Sequence, residues 1–243
     1  IIGDDAPPEW VSALWRAWRD AHGDNQAGWP WHPYTAAERV INILDHSQRH
    51  GLPGPKDDTV QFLAGHGDAI EHTLEYFGER NTGNHLSNNG RGLFLLGLAL
   101  GIERYAALGG RILIEESARI FGPSGMLREG SSHYHLLLTR NYASAWLAAR
   151  ALNRPETSAL EEITKCALSA LPGLVMAGGM PLIGDISPDC PPEFLAGLLP
   201  GGDMNRGWTG TRTKDERDAL ATLAEQAGSA ILEQDGWWRF ESG

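Results

Sequence analysis

The feature that most restricts the fold of this 243-residue sequence is the helical spacing of its apolar residues. Apolar residues recur at steps of three and four, Gly and Pro interrupt the pattern, and alternating strand-like segments are nearly absent. Several consecutive helices with short connectors are typical of antiparallel helical hairpins. We therefore predict an all-α fold, either a bundle or a ring of paired helices, because periodicity alone does not separate the two.

Local signals mark where these helices begin and end. Thr35 with Glu38, and Ser158 with Glu161, have the spacing of capping boxes, so we expect helices to start there. Residues 173–210 are rich in Gly and Pro and are predicted to form a long surface excursion. The predicted helices are 9–22, one beginning at Thr35, 58–77, 84–100, 105–121, 133–152, 158–171 and 215–233.

Charge and hydropathy exclude several classes of protein. Twenty Lys and Arg against thirty-one Asp and Glu give a net charge of −11, which argues against a nucleic-acid binder. The longest apolar run, 93–101, is too short to span a bilayer, so we predict a soluble protein with no membrane span. Because the chain begins at Ile1 rather than Met, we expect a processed or trimmed chain.

The cysteines and common motifs give little support for a metal or nucleotide enzyme. Cys166 and Cys190 have no companions at zinc-ligand spacing, and either one disulfide or two buried thiols fits the sequence. The sequence contains no Gly-x-Ser-x-Gly elbow, Walker loop or His-Glu-x-x-His motif. The sequence thus argues against a zinc framework and gives no support to the common hydrolase, nucleotide-binding and metalloprotease classes.

A polar stripe interrupts the most apolar predicted helix. Asn84, Asn88 and Arg91 share one face at positions i, i+4 and i+7, with His85 beside them. Buried amides are costly unless they are hydrogen-bonded, so the stripe either faces a wet cleft or is satisfied by neighbouring loops.

A second polar cluster lies at the start of another predicted helix. It contains Arg128, Glu129, His133, Tyr134 and His135. A phenol titrates near pH 10, so Tyr134 exchanges protons at neutral pH only if cations or hydrogen bonds stabilise its phenolate, and Arg128, His133 and His135 are candidates to do so. A Ser-capped helix start with a solvated charge cluster is the alternative interpretation.

The aromatic turn at 29–34 also has two interpretations. Trp29, Trp31 and Tyr34 could stack on sugar rings through their faces, or they could form a structural lid.

Three motifs together resemble a known family. Residues 82–94 (TGNHLSNNGRGLF), 130–135 (GSSHYH) and 181–185 (PLIGD) are similar in order and spacing to motifs of the N-terminal domain of heparinase II/III-like polysaccharide lyases. The resemblance implies an incomplete (α/α) toroid of antiparallel helical hairpins over 1–235. It also implies that 236–243, which include Trp237-Trp238-Arg239-Phe240, begin a C-terminal β-sandwich domain.

The resemblance implies β-elimination on a polysaccharide that contains uronic acid. Asn84 and His85 take the positions that neutralise the uronate carboxylate, and Tyr134 takes the position of the base and acid. The resemblance places a further catalytic histidine and any metal in the β-sandwich domain, so it implies no metal site and no cofactor in this chain. The resemblance also implies a periplasmic or secreted protein. Its expected partners are the β-sandwich domain and an anionic polysaccharide.

Further residues are predicted to contact the substrate. The position three after His85, which is Glu in some relatives, is Asn88 here, and this departure weakens the expectation of a heparin-type substrate. Arg140 is a further candidate for reading anionic groups. The predicted substrate-binding residues are Asn88, Arg91, Arg128, Glu129, His133, His135 and Trp31.

Two other functions remain open from the sequence. An (α/α)-toroid glycoside hydrolase would use paired carboxylates such as Glu129 and Asp185. A non-catalytic module would bind polysaccharide or assist capsule assembly without turnover.

Overall fold

The computed structural model describes residues 6–23, 27–79 and 83–238. Within these ranges the chain forms helices and irregular segments, and its only β-pairing consists of isolated bridges, Phe121 with Leu127 and Met176 with Gly179. The helices are α1 (Pro8–His22), α2 (Pro33–His50), α3 (Lys56–His72), α4 (Asn84–Leu100), α5 (Glu103–Ile120), α6 (Ser132–Ala151), α7 (Thr157–Leu174), α8 (Gly207–Gly210) and α9 (Lys214–Ala227), with 3-10 helices at Trp29–Trp31, Pro192–Leu198 and Leu232–Asp235.

The chain divides into two compact units, Ile1–Glu116 and Ser117–Gly243. Each unit buries apolar side chains from several helices. None of the helices in the described ranges combines the length and apolar character needed to cross a membrane.

In the first unit, α2, α3 and α4 pack around a shared apolar core. Small residues let the helices approach closely, since a Cβ on Gly92 of α4 would overlap Ala37 of α2. Along α4 and α5, Gly97 lies against Ala106 and Gly90 against Gly109, so the pairing runs in opposite directions. The two helices therefore form one of the predicted antiparallel hairpins.

An aromatic cluster joins α1 to this core. Trp15 and Trp18 of α1 pack against Phe62 and His66 of α3, with ring centroids 5.6–6.1 Å apart. The Arg39 guanidinium lies 3.7 Å from the centroid of the Trp18 ring. Stacked cations and aromatic rings hide apolar area while keeping the charge hydrogen-bonded.

In the second unit, α6 and α7 form another antiparallel pair. His135 near the start of α6 contacts Ala167 of α7, and the Trp146 indole farther along α6 donates to Glu161 near the start of α7, at 3.1 Å. Helix α7 also packs against α9.

Several predicted helix ends are wrong. Helix α2 begins at Pro33 with no side-chain cap, and α7 begins at Thr157, so neither predicted capping box caps its helix. Proline suits the first helical position because its φ is already fixed near the helical value. The reciprocal capping box of the described chain is Thr213 with Glu216, at the start of α9.

Three other predictions differ from the structure. Helix α3 ends at His72 instead of residue 77, and the helical pattern predicted over 215–233 divides into α9 and a 3-10 turn. The predicted surface excursion at 173–210 is wrong in part, because it buries Leu195, Leu198 and Trp208.

The remaining predictions concern the chain end and the cysteines. Residues 236–238 are not in a strand, and 239–243 lie outside the described residues. Cys166 and Cys190 do not form a disulfide with each other, and Cys190 is buried whereas Cys166 is exposed. The structure therefore matches neither the predicted disulfide nor the predicted pair of buried thiols.

Candidate functional site

The predicted site residues are divided between the two units. The first unit holds Trp31, Asn84, His85, Asn88 and Arg91, and the second holds Arg128, Glu129, His133, Tyr134, His135 and Arg140. Each group is described within its own unit.

His85 lies in the first turn of α4, where a buried carboxylate fixes its ring. The His85 side chain is 56% exposed, and its Nδ1 lies 2.9 Å from Oε1 of Glu75, whose side chain is 7% exposed. Asn89, one turn later, donates from Nδ2 to Oε2 of Glu75 at 3.1 Å. The Glu75 backbone N–H in turn donates to Oδ1 of Asn89 at 3.0 Å.

This arrangement defines what His85 can do. A carboxylate that accepts a hydrogen bond from one ring nitrogen sets the tautomer and orientation of the imidazole. With Nδ1 held by Glu75, Nε2 is the nitrogen that can meet a ligand. Two further rings surround this pair, since Nε2 of His32 lies 3.8 Å from Oε1 of Glu75 and the Tyr34 ring centroid lies 4.6 Å from that of His85.

Sequence reasoning missed Glu75 and Asn89. Glu75 fell inside the predicted helix 58–77, where it had no distinguishing pattern, whereas the structure places it in the irregular segment after α3. The signal that was present is the i, i+4 spacing of His85 and Asn89, which puts both side chains on one face of α4.

The predicted polar stripe on α4 is largely buried. Arg91 is 2% exposed, and its guanidinium lies 3.6 Å from the Glu38 carboxylate. Asn88 is 3% exposed, and neither polar atom of its amide has a hydrogen-bond partner within 6–23, 27–79 and 83–238. Asn84 is half-buried at the first position of the helix. A buried amide without a partner costs about 1–3 kcal/mol, so a polar ligand group that reached Asn88 would be stabilised there.

Trp31 has a packing role. Its indole is 4% exposed and donates from Nε1 to the His22 carbonyl at 2.9 Å. The exposed indole of the same turn belongs to Trp29, at 77%. Sugar contact by Trp31 stays a prediction.

In the second unit, two of the predicted motifs come together at the start of α6. Ser131 caps the helix by accepting from the Tyr134 N–H at 2.9 Å, and its hydroxyl donates to the Asp185 carbonyl at 2.6 Å. Ser132 donates to the Pro181 carbonyl at 2.7 Å and accepts from the Ile183 N–H at 3.0 Å. These bonds hold 181–185 against the helix start that carries Tyr134.

The charges around Tyr134 oppose ionisation of its phenol. Burial, followed by the carboxylates of Asp185, Glu129 and Asp189, raises the pKa of Tyr134 above its usual value. This direction is opposite to the one that a phenolate at neutral pH requires.

The residues expected to stabilise the phenolate are engaged elsewhere. His135 is fully buried, with Nδ1 accepting from the Leu127 N–H at 3.2 Å and Nε2 donating to the Ala167 carbonyl at 3.0 Å. Burial lowers the pKa of His135 to about 4, so the ring is neutral at pH 7. His133 accepts from the Ser187 N–H at 3.1 Å, and burial lowers its pKa too. Arg128 donates from Nε to the Phe121 carbonyl at 3.0 Å.

No cluster of three or more His, Cys, Asp or Glu side chains able to hold a metal ion occurs in the part of the chain that the structure describes. Arg140 is half-buried on α6, and its Nε has no hydrogen-bond partner among the described residues.

Comparison with known proteins gives one informative likeness. No protein-family model matches the chain, and no curated protein sequence does. Among solved structures, the chain is similar to the crystal structure of heparinase III, with a TM-score of 0.55 and 15% sequence identity. The match covers 82% of this chain and 36% of that chain. The chain thus spans about a third of that structure. The likeness confirms the predicted fold class, an all-α, incomplete (α/α) toroid of helical hairpins.

Proposed function

We propose that this chain is the helical, substrate-binding part of a polysaccharide lyase that cleaves a uronate-containing polymer by β-elimination. The observation that carries the proposal is the His85 imidazole, exposed at the start of α4 and oriented by the buried Glu75 carboxylate. The heparinase III-like fold supports the same class of enzyme.

The reaction makes three demands on the protein. The uronate carboxylate must be neutralised so that the C5 proton becomes acidic, a base must remove that proton, and the departing O4 must receive one. When the C4–O4 bond breaks, the electron pair of the C5–H bond forms the C4–C5 double bond. Asn84 suits the first demand because its amide N–H donates to a carboxylate. His85 suits it as the imidazolium, in which Nδ1–H donates to Glu75 and Nε2–H donates to the uronate carboxylate and to the negative charge that grows on it.

Tyr134 suits the proton transfers. A phenolate would take the C5 proton, and the resulting phenol would return a proton to O4, so the side chain ends in its starting form. Because burial and nearby carboxylates raise the pKa of Tyr134, the phenolate needs a positive charge beside it. The histidine expected from a C-terminal β-sandwich domain is a suitable source.

The experiment follows ultraviolet absorbance of the unsaturated uronate while the full-length protein is incubated with heparin, heparan sulfate, chondroitin, hyaluronan, alginate or glucuronan. We expect a rise with one polymer. Tyr134→Phe should lower the rate by about a hundredfold or more, because it removes the proton-transfer group. Tyr76→Phe, which removes a hydroxyl from another exposed ring, should leave the rate unchanged.

Other outcomes contradict the proposal. New reducing ends without absorbance would indicate hydrolysis, for which Glu129 and Asp185 are the candidate carboxylates. Binding of a polymer without turnover would indicate a non-catalytic module. Full activity in Tyr134→Phe or Asn84→Ala would remove those residues from the catalytic assignment.

A further inference from the structure

The turn before α2 contains one buried and one exposed tryptophan. Trp31 is buried, and the Arg39 guanidinium donates to the Pro30 carbonyl at 2.7 Å, so the turn is anchored to the core of the first unit. Trp29, two residues earlier, is 77% exposed, the highest exposure of any large apolar side chain in the described chain. A rigid turn therefore presents one indole to solvent.

Because the Trp29 ring is exposed, the folded state lacks the stabilisation that its burial would give, and folding alone does not explain this exposure. Burying a large aromatic side chain stabilises a protein by a few kcal/mol, and this turn already buries one indole. The Trp29 ring contacts the His32 ring, with centroids 4.9 Å apart and planes tilted by 36°. One face or edge of the indole is thus supported while much of the ring remains accessible.

The exposed indole is connected to the candidate site by contacts within the first unit. His32 lies 3.8 Å from Glu75, Glu75 holds His85 at 2.9 Å, and the Tyr34 ring packs on His85 with centroids 4.6 Å apart. Tyr34 is itself 37% exposed. Trp29 and Tyr34 consequently flank the imidazole groups of His32 and His85.

Such a surface matches the two sides of a sugar ring. A pyranose has an apolar face of C–H groups, which stacks on aromatic rings, and a rim of hydroxyls, which hydrogen-bond to the exposed His85 imidazole. An apolar protein partner would instead desolvate Nε2 of His85 without giving it a hydrogen bond.

We propose that Trp29 and Tyr34 form a saccharide-binding subsite beside His85, in which their rings stack on a pyranose unit of an acidic polysaccharide. The acidic nature of the sugar rests on the proposed function, whereas the stacking rests on the geometry of Trp29 and Tyr34. The subsite holds the polymer in register so that a neighbouring uronate meets His85.

Calorimetric titration of the full-length protein with tetrasaccharides of heparan sulfate, hyaluronan and alginate tests the subsite. The titrations are made in a Tyr134→Phe background so that the sugar is not consumed. We expect Trp29→Ala to weaken binding of the preferred tetrasaccharide by about tenfold and Trp29→Phe to restore most of it, since phenylalanine keeps an apolar ring. Trp10→Ala is the matched control, because Trp10 is an exposed indole on α1, at 53%.

Three results would overturn the subsite: unchanged binding in both Trp29→Ala and Tyr34→Ala, failure of the Tyr134→Phe protein to bind any of the tetrasaccharides, or an equal loss in Trp10→Ala. A change of oligomeric state in Trp29→Ala would overturn it as well, because it would identify the indole as a protein contact. Weaker binding in Trp29→Ala without any ultraviolet signal from the unsubstituted protein would leave the subsite standing and overturn the lyase. Elimination with an unchanged KM in Trp29→Ala would leave the lyase standing and overturn the subsite.

Discussion

Glu75 is a buried carboxylate whose two oxygens contact different side chains of α4. Removing a carboxylate from water costs several kcal/mol unless hydrogen bonds compensate, and here His85 and Asn89 supply them. Both partners lie in the first two turns of a helix, so their positions relative to Glu75 are rigid. The contact therefore fixes the direction in which Nε2 of His85 faces.

We expect Glu75→Gln to lower kcat by about tenfold to a hundredfold with little change in KM, because a neutral amide orients the imidazole less strongly. Steady-state kinetics of the full-length protein across a range of pH measure this, and the pH dependence of kcat should change as well. Glu75→Asp should restore part of the rate if the charge matters. Glu79→Gln, an exposed glutamate in the same segment, is the control. A parallel loss of rate and thermal stability, with an unchanged pH profile, would show that Glu75 only supports folding.

Helix α4 combines an exposed site turn with a tightly packed second half. His85 is exposed in the first turn, whereas a Cβ at Gly97 near the other end would overlap the backbone of Ala106 on α5. Backbone atoms cannot move aside as the end of a flexible side chain can. The close crossing thus anchors the helix that carries the candidate site.

Gly97→Ala tests this crossing. We expect a loss of about 1–3 kcal/mol in the free energy of unfolding, because overpacking against the Ala106 backbone outweighs the better helix propensity of alanine. Urea unfolding measures the change. Gly178→Ala is the control, since a Cβ there meets no heavy atom within 4 Å, and it should change stability by less than about 0.5 kcal/mol. Equal stability of Gly97→Ala and the parent protein would contradict the close approach.

The elements also show how far sequence reasoning reaches. Apolar periodicity placed the long helices, and for α4 the predicted and observed bounds agree at both ends. Gly101 follows the apolar second half of α4 and ends the helix in the left-handed conformation. Capping patterns failed at α2, since a nearby proline at the first helical position offers the chain an earlier start. Polar clusters at helix starts made His85 and Tyr134 candidates from the sequence. Glu75 was not a candidate, because the irregular segment after α3 that brings it to His85 has no local sequence signature.

At the scale of the whole chain, the net charge of −11 opposes an anionic substrate. Long-range attraction therefore does not bring a uronate polymer to this chain. Short-range groups must hold the proposed uronate polymer, and those that the structure presents in the first unit are Nε2 of His85 and the exposed rings of Trp29 and Tyr34.

Each of the two units contains a buried neutral histidine that accepts a hydrogen bond. In the first unit, His66 faces Arg39 at 3.1 Å and the Phe62 carbonyl at 2.9 Å, and in the second, His135 accepts from the Leu127 N–H. Burial lowers the pKa of each to about 4, from 6.5 in the unfolded chain. Protonation of either ring would also put a hydrogen on the nitrogen that now accepts a hydrogen bond, so that bond would be lost.

Acidification should therefore destabilise both units. The unfolded histidines bind protons below about pH 6.5 and the folded ones only near pH 4, so their stabilising contribution is complete above pH 6.5 and falls as the pH drops towards 4. Between pH 7 and pH 5 the free energy of unfolding falls by about 2 kcal/mol for each histidine.

Hydrogen exchange at pH 7 and pH 5 measures this loss separately in each unit. His66→Gln and His135→Gln keep a donor and an acceptor but do not titrate, so each should reduce the acid-induced loss in its own unit. An unchanged loss in both variants would show that other groups govern acid stability.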